Sequence, residues 1–185
     1  MAIVRHSQLF AVIKPDPEKL DCEDSNWIHV WTDGGGNCGP VTMGVVIVNE
    51  GQVVMTHGEF LSNDATNNIA ELTAILRGLQ LGRHYNKPIK LYSDSSYALN
   101  SIAGIYNGPK NKELIETIQT FAQSLEHLVV FIKVKGHSLL PYNEYADSIA
   151  SWFLNESKKH GKGTPRQPSK SRRKKIQKNE KKKSD

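Results

Sequence analysis

Four acidic residues, each inside its own short motif, mark where this chain could do chemistry. Asp33 stands in Trp-Thr-Asp-Gly-Gly-Gly (31–36) and Glu71 in Thr-Asn-Asn-Ile-Ala-Glu-Leu (66–72). Asp94 stands in Tyr-Ser-Asp-Ser-Ser (92–96) and Asp147 in Asn-Glu-Tyr-Ala-Asp (143–147), with Lys-Gly-His-Ser (135–138) just before the last. Carboxylates gathered without basic partners repel one another. A like-charged pair about 4 Å apart costs roughly 4 kcal/mol at an effective dielectric of about 20. A fold holds such a cluster only against something positive. Hard divalent cations with oxygen ligands fit, above all Mg²⁺, with Mn²⁺ as a substitute. Two such ions can clamp the attacking and leaving oxygens of a phosphodiester. Singly, each acid is an ordinary turn, cap or first-turn residue. Their joint occurrence is what points to one site.

The elements that must position these acids can be read from periodicity. Ile28–Thr32 reads as a strand, followed by strands over Thr42–Asn49 and Gln52–Phe60 joined by the hairpin signal Asn49-Glu50-Gly51. Ile69, Leu72, Leu76 and Leu79 share a helical face, which predicts a helix over Asn67–Arg83. Ile89–Ser93 is a short apolar strand, Ser96–Ile102 a helical segment and 104–109 a loop. Asn111–Leu125 is a second amphipathic helix, with Leu114, Ile118, Phe121 and Leu125 on one face. Leu128–Lys133 is a strand, and Tyr142–Phe153 a closing helix behind Pro141. The order βββαβαβα implies an α/β fold with a mixed five-stranded sheet flanked by helices. Asp33 then ends the first strand and Asp94 the fourth. If those strands are neighbours, their carboxylates sit side by side at a sheet edge where ligands gather. Glu71 faces the same edge from the long helix, and Asp147 reaches it from the closing helix. The glycines after Asp33 let backbone approach a large ligand closely.

Length and charge divide the chain. Its 185 residues suggest one domain over 27–156, an N-terminal extension or linker over 1–26, and a tail over 157–185. The net charge of +5 hides an asymmetry. The tail holds 13 Lys and Arg against Glu180 and Asp185, a net of +11, whereas residues 1–156 hold 11 basic and 17 acidic residues, a net of −6. An acidic domain with a basic, low-complexity and disordered tail suggests a polyanionic partner, nucleic acid first. Leu9–Ile13 is apolar enough for a short strand. The two cysteines, Cys22 and Cys38, have no motif spacing and read as free thiols. No apolar run is long enough for a membrane span, and no secretory signal opens the chain. The expectation is an intracellular, cytoplasmic protein, or a nuclear one if the tail is an address.

The five motifs, in this order, resemble type 1 ribonuclease H over roughly residues 28–153. The resemblance implies the ribonuclease H-like fold and endonucleolytic cutting of the RNA strand of RNA–DNA hybrids, leaving a 5′ phosphate and a 3′ hydroxyl. It implies that Asp33 bridges two metal ions and that Asp147 joins it on the ion that activates water. Glu71 and Asp94 would hold the ion at the leaving oxygen. His137 resembles a mobile-loop histidine that assists turnover and product release, and Asn143 a residue that supports the site. Asn68 resembles a minor-groove contact. Thr66, Asn67 and Asn37 resemble a pocket for a phosphate of the DNA strand, with Gly34 beside it. Ser96 stands where many relatives carry a longer glutamine. The stretch from Tyr97 to Leu125 lacks the Trp- and Lys-rich handle of several bacterial members, which leaves the tail as a replacement anchor. The partner implied is an RNA–DNA hybrid met by a monomer, without a membrane. A non-cleaving nucleic-acid-binding module on the same fold is the alternative. For the tail, a solubilising or localising role stands beside substrate binding.

Overall fold

The computed structural model describes residues 12–13, 22–106, 110–136 and 140–160. In chain order the elements are β1 (Val12–Ile13), β2 (Ile28–Gly35), β3 (Cys38–Asn49), β4 (Gln52–Thr66), α1 (Asn67–Gly82), β5 (Ile89–Ser93), α2 (Ser96–Ile102), α3 (Lys112–Ser124), β6 (Val129–Lys133) and α4 (Pro141–His160). The sheet order is β1-β6-β5-β2-β3-β4. β2, β3 and β4 are antiparallel neighbours, whereas β2–β5, β5–β6 and β6–β1 pair in parallel. The expected mixed five-stranded sheet is present, and the two residues of β1 add a sixth strand beside β6.

Both faces of the sheet are covered, and the strand sequences say why. Along β3, Met43, Val45 and Ile47 enter one core cluster with Val30, Leu72, Ile75 and Leu79. The alternate residues Val46 and Val48 enter a second cluster with Trp31, Tyr92, Ile132 and Ala146. A near-continuous β-branched run is what a strand buried on both faces requires. The Trp31 and Tyr92 rings stack 4.0 Å apart and 7° from parallel, tying β2 to β5 on the α4 side. Such a pair contributes about 0.5–1.5 kcal/mol beyond its buried area. Cys22 joins this second cluster, and its carbonyl accepts from the Gly51 amide at 2.8 Å, so part of the segment preceding β2 packs on the sheet.

Several boundaries differ from expectation. β3 starts four residues early, and β4 runs six residues past Phe60 to abut α1 directly. The hairpin turn is as expected, with Glu50 and Gly51 both at positive φ, 52° and 71°. α4 does not stop at Phe153 but continues to His160, into the stretch assigned to the tail. Residues 161–185, and the disorder expected of them, lie outside the described residues.

The buried faces of two helices are also rotated from the ones marked by large apolar residues. On α1 the buried set is Ala70, Glu71, Leu72, Ala74, Ile75, Gly78, Leu79 and Gly82, with Ile69 and Leu76 only half-buried. Gly78 explains the shift. A Cβ there would lie 2.8 Å from Val30 Cγ1, so the helix is drawn onto the sheet through small residues that a search for large ones overlooks. On α3 the buried set is Ile115, Ile118 and Ala122 rather than Leu114, Phe121 and Leu125. Phe121 instead lies half-buried beneath the Arg83 guanidinium, 5.7 Å from ring centroid to Cζ.

Candidate metal centre

The site forms where the parallel ladder of β2 and β5 ends. Thr32 is in register with Ser93, the last pair of that ladder. Asp33 and Asp94 are therefore the next residues on two adjacent strands. Asp33 does not end its own strand, as expected from sequence, because β2 runs on to Gly35 and Asp33 stays paired with Gly44 of β3. The carboxylate is thus carried on rigid antiparallel backbone while its parallel neighbour has already turned away.

Asp33 follows Trp31 by two residues, so it points to the α4 side of the sheet. Glu71 comes from α1 on the opposite side and must pass the sheet edge to reach it. Gly34 lets it pass. A Cβ on Gly34 would lie 2.6 Å from the Glu71 amide nitrogen. The Gly34 amide also donates to Glu71 Oε2 at 3.1 Å. As a result Asp33, Glu71 and Asp94 each offer a carboxylate oxygen within 4.8 Å of the others. Asp147 lies outside that group of three but acts on Asp33 through its charge and a shared hydrogen bond. Its Oδ1 accepts from Ser151 Oγ, one helical turn on, at 3.4 Å.

Electrostatics agree with the geometry. Burial, then the charges of Asp94 and Asp147, push the Asp33 pKa from 3.8 up to about 8, while the Gly34 amide lowers it. Glu71 is raised well above its ordinary value by burial and by the charges of Asp33 and Asp94, against the Gly34 amide hydrogen bond that lowers it. Both carboxyls are nearly fully buried, at 7 % and 6 % exposure. Three hard oxygen donors crowded together, two of them buried, suit a divalent cation such as Mg²⁺ or Mn²⁺. A second observation agrees. Asn143 donates through Nδ2 to Asp94 Oδ2 at 3.4 Å, and its buried Oδ1 has no hydrogen-bond partner among the described residues. The residues present therefore fit a metal ion.

The residues expected to touch substrate divide into two groups. Asn37, Asn68 and Ser96 are exposed. Thr66 is exposed too, but its Oγ1 accepts from the Ile69 amide at 3.4 Å and caps α1. Asn67 is half-buried. With its amide nitrogen toward the glycine turn it donates to Gly34 O at 3.0 Å and Gly36 O at 2.8 Å. The opposite orientation offers a single 3.5 Å contact to Glu71 Oε1, so the first is the better one. His137 lies outside the described residues. Gly136, just before it, lies against Asp94, where a Cβ would be 2.7 Å from Oδ2.

Sequence reasoning missed Gly44, Thr42 and Ser151. Thr42 Oγ1 donates to the Ala150 carbonyl at 2.7 Å and holds α4 on β3. Gly44 did carry a signal, since glycine inside a strand often marks close backbone approach. Ser151 carried one too, standing four residues after Asp147 on a predicted helix.

The RNase H family model matches residues 25–154. The ribonuclease H of Clostridium botulinum is 34% identical over 151 residues, covering 70% of this chain and 96% of that protein. The ribonuclease H of Caldanaerobacter subterraneus subsp. tengcongensis is 34% identical over 152 residues, covering 75% and 95%. Among solved structures, LC11-RNase H1, isolated from compost and crystallised in complex with an RNA/DNA hybrid, is similar with a TM-score of 0.62. It is 25% identical, and the match covers 70% of this chain and 98% of that one.

Proposed function

Because the chain belongs to the ribonuclease H family of nucleases, we propose that it cuts the RNA strand of RNA–DNA hybrids using two Mg²⁺ ions, leaving a 5′ phosphate and a 3′ hydroxyl. The observation that carries this reading is the convergence of Asp33, Glu71 and Asp94 within 4.8 Å, with Asp147 acting on Asp33.

Asp33, Glu71, Asp94 and Asp147 would hold the ions, with Asp33 shared between them. Bound there, divalent ions supply charge stabilisation to the attacking and leaving oxygens of the phosphodiester. The chain's own groups prepare the site. Gly34 donates its amide to fix one Glu71 oxygen, and Asn143 donates to Asp94, so each carboxylate keeps its remaining oxygen for a cation. Asn68, Ser96 and Asn37 are exposed, and in this reading they meet the hybrid. Polar groups there can recognise the 2′-hydroxyl, which both donates and accepts. His137, the residue after Gly136 in the chain, assists turnover in this reading.

Residues 27–156 are the nuclease unit in this reading, with 1–26 as an extension. The basic stretch 157–185 draws a polyanion to an acidic domain. The protein acts as a monomer inside the cell. No described helix is long and apolar enough to cross a membrane. The test is cleavage of end-labelled hybrid, RNA duplex and DNA duplex in Mg²⁺, in Mn²⁺ and in EDTA. Cutting confined to the hybrid's RNA strand, and abolished by EDTA, is expected. Hybrid binding without metal-dependent cutting would instead make this a binding module.

A further inference from the structure

Asn67 sits where the family resemblance suggests a grip on a phosphate of the DNA strand, yet its amide is engaged inside the protein. The nitrogen meets the carbonyls of Gly34 and Gly36 at 3.0 and 2.8 Å. Those two residues form the end of β2 and the turn that leaves it. That turn is tight: Gly36 has φ of +108°, and a Cβ there would overlap the Pro40 carbonyl. The Gly34 amide in turn binds Glu71 Oε2, and Glu71 lies one helical turn after Asn67. A closed circuit results, running from Asn67 to the Gly34 carbonyl, through the Gly34 amide to Glu71, and back along α1 to Asn67. Asp33 is covalently next to Gly34, so the circuit also fixes the carboxylate that faces Glu71.

We infer that Asn67 is a positioning residue, not a phosphate ligand: it clamps the glycine turn to the first turn of α1 and so sets the Asp33–Glu71 geometry. The inference rests on the metal-centre reading of that geometry. Asparagine suits the task because one planar amide supplies two donors toward two carbonyls. Its neighbours divide the remaining work, Thr66 capping the helix and the exposed Asn68 staying free for substrate. Partners that orient a metal's ligands, rather than touch the metal, typically change metal affinity about 10- to 100-fold when removed.

The test compares the wild type with N67A and N67D in three measurements. Calorimetric titration of the substrate-free protein with Mn²⁺ alone should show affinity about 10-fold or more weaker in N67A. N67D should lose as much, because a carboxylate cannot donate to the two carbonyls. Hybrid affinity in EDTA should stay within about 2-fold for N67A, since no phosphate contact is lost. Amide hydrogen exchange should accelerate over residues 34–37 in N67A, with the core strands unchanged. Unchanged exchange at the turn would overturn the inference. So would wild-type Mn²⁺ affinity in N67A combined with weakened hybrid binding, the pattern of a phosphate grip. Failure of the wild type to bind Mn²⁺ would count against the metal centre instead, and the exchange measurement would still decide the role of Asn67.

Discussion

Gly44 lies against the main chain of Ala146, so closely that a methyl group on Gly44 would overlap the Ala146 carbonyl oxygen. Gly44 is also the ladder partner of Asp33, and Ala146 precedes Asp147. One bare stretch of β3 therefore brings Asp147 of α4 toward Asp33 of β2. The same contact continues at Gly35, whose Cβ would lie 2.6 Å from Thr42 Oγ1 and 3.2 Å from the Ala150 Cβ.

G44A should accordingly do two things. It should destabilise the fold by about 1–3 kcal/mol, the usual cost of overpacking, because the obstacle is helix backbone and not a flexible side chain. It should also push Asp147 away from Asp33 and lower the cleavage rate more than hybrid affinity. Urea unfolding and single-turnover cleavage at saturating enzyme measure the two effects. A variant with native stability and rate would mean that α4 is not seated on Gly44 as described.

D33N removes the carboxylate common to the proposed ions and relieves the crowding that raises its pKa. Hybrid cleavage should fall by several orders of magnitude, since metals supply several kcal/mol of transition-state stabilisation at such centres. Hybrid binding should persist, because the exposed Asn37, Asn68 and Ser96 are untouched. Retained cleavage in the purified variant would remove Asp33 from the chemistry.

The raised pKa values give a stability prediction with a definite sign. Asp33 titrates near 3.8 when unfolded and at about 8 in the metal-free fold, so the folded state binds more protons between those values. Metal-free stability should therefore fall as pH rises from about 4 to about 8, by at most about 1.4 kcal/mol per pH unit for each such group. Glu71, raised by the same neighbours, adds to the fall. Saturating Mg²⁺ should flatten the profile and raise stability most at the alkaline end, by mass action. D94N in EDTA should be more stable than the wild type near neutral pH and gain less from Mg²⁺. Melting temperatures across pH in EDTA and in Mg²⁺ decide it. A metal-free profile that rises with pH would show that the carboxylates are not crowded.

Much of this arrangement was legible before any coordinates, but unevenly. The acids were visible because each sits in a short motif at the end of a periodic segment, and motif order survives any error in boundaries. Ser96–Ile102 and Ile89–Ser93 were read to the residue, as Ser95 caps one and the apolar run defines the other. The buried face of α1 was not, because Gly78 and Gly82 carry no hydrophobic signal yet set how closely the helix approaches. The extra length of β4 was hidden in residues 61–66, where Ser62 pairs with Val41 and Ala65 with Gly39 while the exposed Asn63 and Asp64 bulge out between them and break the alternation of a regular strand. Asn67 shows the deepest limit. Its type fits a substrate contact and an internal clamp equally well, and only the positions of two carbonyls separate them.

The last prediction concerns charge beyond α4. Because α4 extends to His160, a truncation that leaves the described fold intact should end there, not at Glu156. It removes 11 Lys and Arg and two acids, a net of +9. What remains is acidic and must meet a polyanion. If the tail neutralises phosphates, each one contributes close to one unit to the slope of log affinity against log salt. The truncated protein should then bind hybrid more weakly at low salt, with a slope flatter by several units. The difference should shrink as salt rises and counterions take over the tail's role. Single-turnover cleavage of bound hybrid should be nearly unchanged, since every proposed metal ligand precedes the cut. Affinity measured across a salt series for both proteins makes the comparison. Parallel slopes would take the tail out of substrate binding and leave an address or a protein partner as its purpose. A lost cleavage rate at saturating enzyme would place part of the tail's work at the reacting phosphate.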